Sequence, residues 1–189
     1  MLEEHMDWIT EEEQKELFYH VVYANRWQFG QVSDNKIEPN YPQWFQGFYH
    51  LKERDYHESA PDIVQTLGDR FMEQFCDDSY TMVRNMASAN TFGLDGDIHT
   101  DWPSAGESIT GVLYTDKTWE LNWGGETVFY FDDLVKASVY VPRKLVVFDS
   151  SIPHIGKGPQ RRCKEMRSVM AFQAVKTDIL EKKLAKPSE

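Results

Sequence analysis

His99 and Asp101 stand two residues apart in Ile98-His99-Thr100-Asp101-Trp102, and together they can do chemistry that neither does alone. Side chains alternate along an extended chain, so these two share a face while Thr100 points away. An imidazole and a carboxylate on one face can reach one ion. A second His arriving from a distant strand would complete a two-His, one-carboxylate set, which holds a non-haem Fe(II) and leaves its opposite face open. Taken alone, the His-x-Asp spacing also fits a surface loop with a solvated Asp. The order of the downstream motifs is the stronger signal: Trp123-Gly124-Gly125-Glu126-Thr127, then His154, then Arg167-Ser168.

In that order these motifs, spread over residues 79–176, resemble the iron(II)/2-oxoglutarate-dependent oxygenases, in their prolyl-4-hydroxylase-like branch. The resemblance implies a mainly β fold with flanking α-helices around a double-stranded β-helix (jelly-roll), with the metal inside one mouth. It implies Fe(II), 2-oxoglutarate as cosubstrate and O₂, with His99, Asp101 and His154 as the catalytic metal ligands. Related halogenases have a small residue at the carboxylate position; Asp101 stands here, which favours a hydroxylase. The distal carboxylate of 2-oxoglutarate needs a cation, and Arg supplies a planar fork for it. Arg167 opens the strand-like run Arg-Ser-Val-Met-Ala-Phe and takes that role by resemblance, with Arg162 of the 158–165 loop as the alternative. Tyr114 matches a strand tyrosine that donates to the same carboxylate. Trp102, Arg84 and Trp123 are candidates to face the substrate. Gly124-Gly125 reads as geometry rather than chemistry, since glycine allows close approach that a Cβ forbids.

The function this implies is hydroxylation of an unactivated C–H with release of succinate and CO₂, on a prolyl or other peptidyl residue by resemblance. Hydroxylation of a free amino acid or small natural product is the alternative, and a non-catalytic jelly-roll binding module is the rival of another class. The net charge of −11 disfavours a nucleic-acid partner, because such a surface repels phosphate backbones. Cys76 and Cys163 lie far apart in sequence and read as free thiols of a reducing compartment, which points to the cytoplasm. The N-terminus lacks the basic start and apolar run of a signal peptide. No stretch approaches the ~20 apolar residues that span a bilayer.

These residues need elements to position them, and 189 residues are enough for one domain with a core of its own. The expected division is a helical, aromatic-rich part over 1–78, a jelly-roll core over 79–176 and a tail over 177–189 that forms a short fraying helix. Thr10-Glu11-Glu12-Glu13 is a capping box, followed by a helix with Leu17, Phe18, Val21 and Val22 on one face. Residues 26–50 carry Trp27, Phe29, Tyr41, Trp44, Phe45, Phe48 and Tyr49 among turn formers, reading as short strands over a pocket. Ala60-Pro61 predicts a second helix with Pro at its first position, its stripe being Ile63, Leu67, Phe71 and Phe75. From Tyr80 the pattern changes to extended runs at 82–87, 97–100, 108–114, 126–131, 137–141, 144–149 and 168–175, separated by Gly, Asp and Pro turns. His5, His20, His50 and His57 lie in helical or polar contexts and read as ordinary surface or core residues.

Overall fold

The computed structural model describes residues 1–31 and 42–185. In chain order the elements are β1 (Leu2–His5), α1 (Glu11–Leu17), a π-helical turn (Phe18–Val22), β2 (Gln28–Gln31), β3 (Gln43–Gly47), β4 (Tyr49–His50), β5 (Asp55–Tyr56), α2 (Asp62–Phe75) and β6 (Tyr80–Asn90). There follow β7 (Ser108–Tyr114), a 3₁₀ turn (Leu121–Trp123), β8 (Thr127–Tyr130), β9 (Val135–Ser138), β10 (Leu145–Asp149), β11 (His154–Gly156), β12 (Arg167–Lys176) and α3 (Thr177–Leu184). A seven-stranded antiparallel sheet runs β1-β10-β7-β12-β6-β3-β2, and a three-stranded sheet runs β11-β8-β9. The fold is thus the expected mainly β jelly-roll with flanking helices. Tyr41 lies outside the described residues.

Strand alternation decides what each face of the large sheet meets. On β12, Met170, Phe172 and Ala174 turn to the helices and join Leu17, Ile63, Leu67 and Phe71 in the main core. The intervening positions, Arg167, Val169 and Ala171, turn to a cavity between the two sheets. On β10, Leu145 and Val147 belong to the helix side, while Val146 and Phe148 pack with Phe129 toward the small sheet. Because both faces are covered, β10 and the middle of β12 read as continuous apolar runs rather than alternating ones.

The helices begin where their signals stand. Thr10 accepts from the Glu13 backbone N–H at 3.2 Å, and the Glu13 carboxylate accepts from the Thr10 N–H at 2.8 Å, a complete capping box. Helix α1 then loosens into a π turn, with Tyr23 N–H donating to Phe18 O at 2.7 Å, and Leu17 and Val21 both lie in the core. Helix α2 starts one residue later than its proline predicts: Pro61 is the N-cap, in extended conformation, and its carbonyl takes the first helical bonds. The α2 stripe meets β7 at Gly111, where an added Cβ would sit 2.5 Å from Phe71 Cε2. Gly111→Ala should therefore destabilise the fold by about 1–3 kcal/mol through overpacking, read as a lower urea midpoint at unchanged slope.

Candidate metal centre

The first His and the Asp arrive on the connection between β6 and β7, which is not a strand. Expected pairing over 97–100 reduces to one bridge, His99 with His154. Turns at 92–93 precede it, the Gly96 N–H donates to Gly156 O of β11 at 3.0 Å, and beyond the bridge the chain moves on to Ser150 through the Trp102 N–H. Two backbone hydrogen bonds of 3.0 and 2.9 Å clip His99 directly to His154, so the loop bearing one imidazole is registered against the strand bearing the other. Thr100, between the two, is exposed and also borders the cavity.

Around Asp101 the donor atoms converge. His99 Nε2 lies 3.8 Å from Asp101 Oδ1, and His154 Nε2 lies 3.7 Å from Asp101 Oδ2. One ligand atom from each residue can be chosen so that all lie within 4.8 Å of one another. Each ring places Nδ1 on a backbone carbonyl two residues earlier, Asp97 O at 2.8 Å and Ile152 O at 2.9 Å. A carbonyl cannot donate, so Nδ1 carries the proton and each Nε2 keeps its lone pair. Neither Nε2 forms a hydrogen bond among the described residues. Burial pushes the His154 imidazolium down against the pull of Asp101, which keeps the ring neutral as a ligand requires.

Asp101 is the anion of the set. Burial alone would raise its carboxyl, but Arg84, His154, His99 and the Thr110 hydroxyl outweigh that and hold it at about 2. Arg84 Nη1 donates to Oδ1 at 2.8 Å, and Thr110 Oγ1 donates to Oδ2 at 2.9 Å. A folded-state value below the unfolded one stabilises the fold at pH above about 4, and that contribution fades as pH falls toward about 2. It amounts to roughly 2 kcal/mol. Metal-free Asp101→Asn should accordingly lose less stability than the parent between pH 6 and pH 3 in urea titrations; equal acid sensitivity would show that Asp101 contributes nothing.

The opposite wall carries Arg167. Its side chain is buried at the start of β12, with Nε donating to Gly125 O at 2.7 Å, Nη2 to Thr127 Oγ1 at 3.0 Å and Nη1 to Asn90 Oδ1 at 3.4 Å. No carboxylate among the described residues comes within ion-pair distance. Asp116, whose carboxyl burial raises to about 6 despite donors and the Arg167 charge, accepts instead from Tyr140 and from the Ser168 N–H and hydroxyl. The Arg167 side chain rests against glycines: a Cβ on Gly125 would approach its stem at Cγ to 3.4 Å and Trp119 to 2.9 Å, and one on Gly156 would approach the guanidinium at Nη1 to 3.1 Å. Gly125 also has φ +81°, which a side chain would strain. Of the Gly124-Gly125 pair, Gly125 thus serves as a seat for Arg167, while Gly124, at φ +72°, lies against Gln160. Arg162 is exposed and away from the cavity.

Three other expected residues stand differently. Tyr114 is fully buried behind the wall, its hydroxyl donating to Thr127 Oγ1 at 3.0 Å and Ser138 O at 3.1 Å. Thr127 holds the wall position instead, between the Tyr114 phenol and Arg167. Trp123 is not on the cavity wall; its ring sits edge-on to Trp119 at 5.3 Å, in the turn before β8. Trp102 is buried, donates to Glu107 and lines an adjoining recess rather than the cavity. Arg84 does line the cavity, of about 220 Å³, along with Gln43, Met86 and Ser88. Thr127, Thr110 and Asn90 were not singled out in the sequence; their signal is the even spacing from the cavity-facing positions of β8, β7 and β6.

The donor set suits a divalent ion of the Fe(II) type: two neutral imidazoles and one ionised carboxylate, all converging and partly unpartnered. The buried, carboxylate-free Arg167 suits a dicarboxylate reaching down from it.

No protein-family model matches the chain, and no curated protein matches it significantly. Solved structures do. A prolyl hydroxylase from Trichoplax adhaerens, in complex with a hypoxia inducible factor oxygen degradation domain peptide fragment, superposes with a TM-score of 0.70 at 17% identity, over 98% of this chain and 87% of that one. A 2OG-Fe(II) oxygenase family oxidoreductase from Burkholderia pseudomallei gives 0.69 at 11% identity, over 93% and 85%. The viral collagen prolyl hydroxylase of Paramecium Bursaria Chlorella virus-1, a 2OG complex, gives 0.61 at 16% identity, over 92% and 94%. No helix among the described residues is long and apolar enough to cross a membrane. The chain therefore has the jelly-roll fold of the prolyl hydroxylases and 2-oxoglutarate–Fe(II) oxygenases.

Proposed function

We propose that this chain is an Fe(II)- and 2-oxoglutarate-dependent dioxygenase that hydroxylates an unactivated C–H. The observation that carries the reading is one cavity with a His-Asp-His convergence on one wall and a buried guanidinium without a carboxylate on another. His99 and His154 would hold the metal through Nε2 and Asp101 through a carboxylate oxygen, with the Nδ1–carbonyl bonds, Arg84 and Thr110 fixing their directions. Arg167, with Thr127 beside it, would hold the distal carboxylate of 2-oxoglutarate. Iron, when bound, supplies the redox chemistry by which O₂ oxidises 2-oxoglutarate to succinate and CO₂ and hydroxylates the substrate. The protein orients both partners, and Met86, Val112, Val169 and Ala171 give the cavity apolar sides that limit water.

As to the substrate, the fold shared with prolyl hydroxylases supports a prolyl or other peptidyl target. The charges round the opening favour the alternative, a free amino acid or other small molecule. Residues 1–189 act as a single domain in this reading, supported by α1 and α2 packing on the large sheet. Free Cys76 and Cys163 support a reducing compartment such as the cytoplasm. The test is anaerobic titration of purified protein with Fe(II) and 2-oxoglutarate. A weak visible charge-transfer band that needs both is the expected result; folded protein that never forms it would be a jelly-roll binding module instead.

A further inference from the structure

Beside the cavity lies a second recess, of about 440 Å³, that shares Arg84 and Asp101 with it. This size is typical of a small-molecule pocket. Its inner wall is apolar: Trp102 and Leu180 are buried there and Val83 is half-buried. At its edge the exposed Lys183 of α3 holds its ammonium 4.1 Å over the Trp102 ring. The pairing of β6 with β12 slips between Gln173–Arg84 and Ala174–Met82, leaving Val83 as the extra residue of a bulge, and with alternation broken there Val83 and Arg84 both line the recess, one as its apolar and one as its charged wall.

Cations prevail around this double opening, on a chain whose net charge is −11. The ionised side chains lining the two spaces are Arg84, Arg167 and Lys183 against Asp101 alone. Arg84 uses Nη1 on Asp101, while its Nε and Nη2 have no hydrogen-bond partner among the described residues, and its side chain is 40% exposed. Lys183 has no carboxylate partner there either. With the distal carboxylate of the cosubstrate on Arg167, its other carboxylate and Asp101 balance the divalent ion, so positive charge is left over at Arg84 and Lys183. Such a place, partly shielded from water, favours an anion and offers Arg's planar fork to bind it.

Building on the hydroxylase reading above, we infer that the primary substrate is a small molecule with a carboxylate beside an apolar body. Arg84 binds the carboxylate through its free edge, Lys183 adds its charge from α3, and the apolar body lies along Trp102, Val83 and Leu180. The substrate then enters the site from the recess, next to Asp101, while 2-oxoglutarate occupies the Arg167 end. Arg84 is thus a specificity residue as well as a support for Asp101.

The test is anaerobic calorimetry with the full chain, with and without Fe(II) and 2-oxoglutarate. The probes are leucine and N-acetylleucine, their primary amides, and a blocked proline-containing peptide. Acids are expected to bind about 10- to 100-fold more tightly than the matching amides, the range of a charge-assisted hydrogen bond. Arg84→Gln and Lys183→Met should each shrink that acid-to-amide ratio. Lys183→Met should also leave the charge-transfer band intact, since it touches no ligand. A purely supporting role for Arg84 would weaken acid and amide alike. Amides or the blocked peptide binding as well as acids, no acid binding at all, or a ratio unchanged in both variants would each overturn the inference. Failure of the hydroxylase reading is separate: it is absence of the band in the parent protein, whatever the acids and amides do.

Discussion

His154→Ala is expected to lower Fe(II) affinity by well over ~100-fold and to abolish 2-oxoglutarate turnover, with the fold retained. Loss of an outer-shell partner alone costs ~10- to 100-fold, and here a donor atom itself is removed. The backbone of β11 keeps its bonds to His99 and β8, so the frame does not depend on the ring. The ring does fill space against Phe148 at 4.7 Å, and its removal should lower stability somewhat even without metal. The decisive readout is linkage. A metal at 100 times its dissociation constant adds about 2.7 kcal/mol to folding stability. That metal-dependent rise should vanish in His154→Ala and persist in His57→Ala, whose ring lies tilted against His50 outside the cavity. A variant still stabilised by Fe(II) like the parent would remove His154 from the site.

Arg167→Met is expected to weaken 2-oxoglutarate binding by about two to three orders of magnitude while Fe(II) binding persists. Truncating one partner of a buried charge pair typically costs ~2–5 kcal/mol, and tenfold in affinity is ~1.4 kcal/mol. Arg167→Lys should recover part of the loss, because a point charge replaces the cation but not the two-pronged geometry. Without cosubstrate the Met variant should be nearly as stable as the parent. It gives up three hydrogen bonds, but also a desolvated cation that has no carboxylate beside it. Calorimetry with 2-oxoglutarate checks this, and unchanged affinity would move the carboxylate site elsewhere, with Arg84 the next cation on the wall.

Legibility in the sequence belonged to patterns that repeat. The α2 stripe, the Thr10 capping box and the apolar runs of β7, β10 and β12 are local patterns with one physical meaning each, and all reappear in the fold. The convergence of His99, Asp101 and His154 was legible because a two-His, one-carboxylate metal site would need those residue types in that order, although the strand expected over 97–100 is a loop with one bridge. Positions set by distant partners were not legible. β1, with Glu3, Glu4 and His5 among its residues, carries no strand signal and forms only because β10 offers it an edge. The Tyr114 phenol was placed at the cavity by resemblance, but Thr127 from another strand stands in front of it. Likewise nothing near Arg84 in sequence announces Asp101; the pair exists because β6 and the β6–β7 connection meet at the mouth.

That first strand has a consequence for handling the protein. β1 covers β10, whose core Leu-Val-Val-Phe is apolar and rich in strand formers. Stripped of residues 1–5, β10 would present unpaired backbone groups to other molecules, the usual template for edge-to-edge aggregation. Truncation would also take away Glu4, which meets the buried Lys144 ammonium at 3.2 Å, leaving a charge in the interior without its counter-ion. An expression product trimmed at its N-terminus should therefore lose solubility before it loses its metal site.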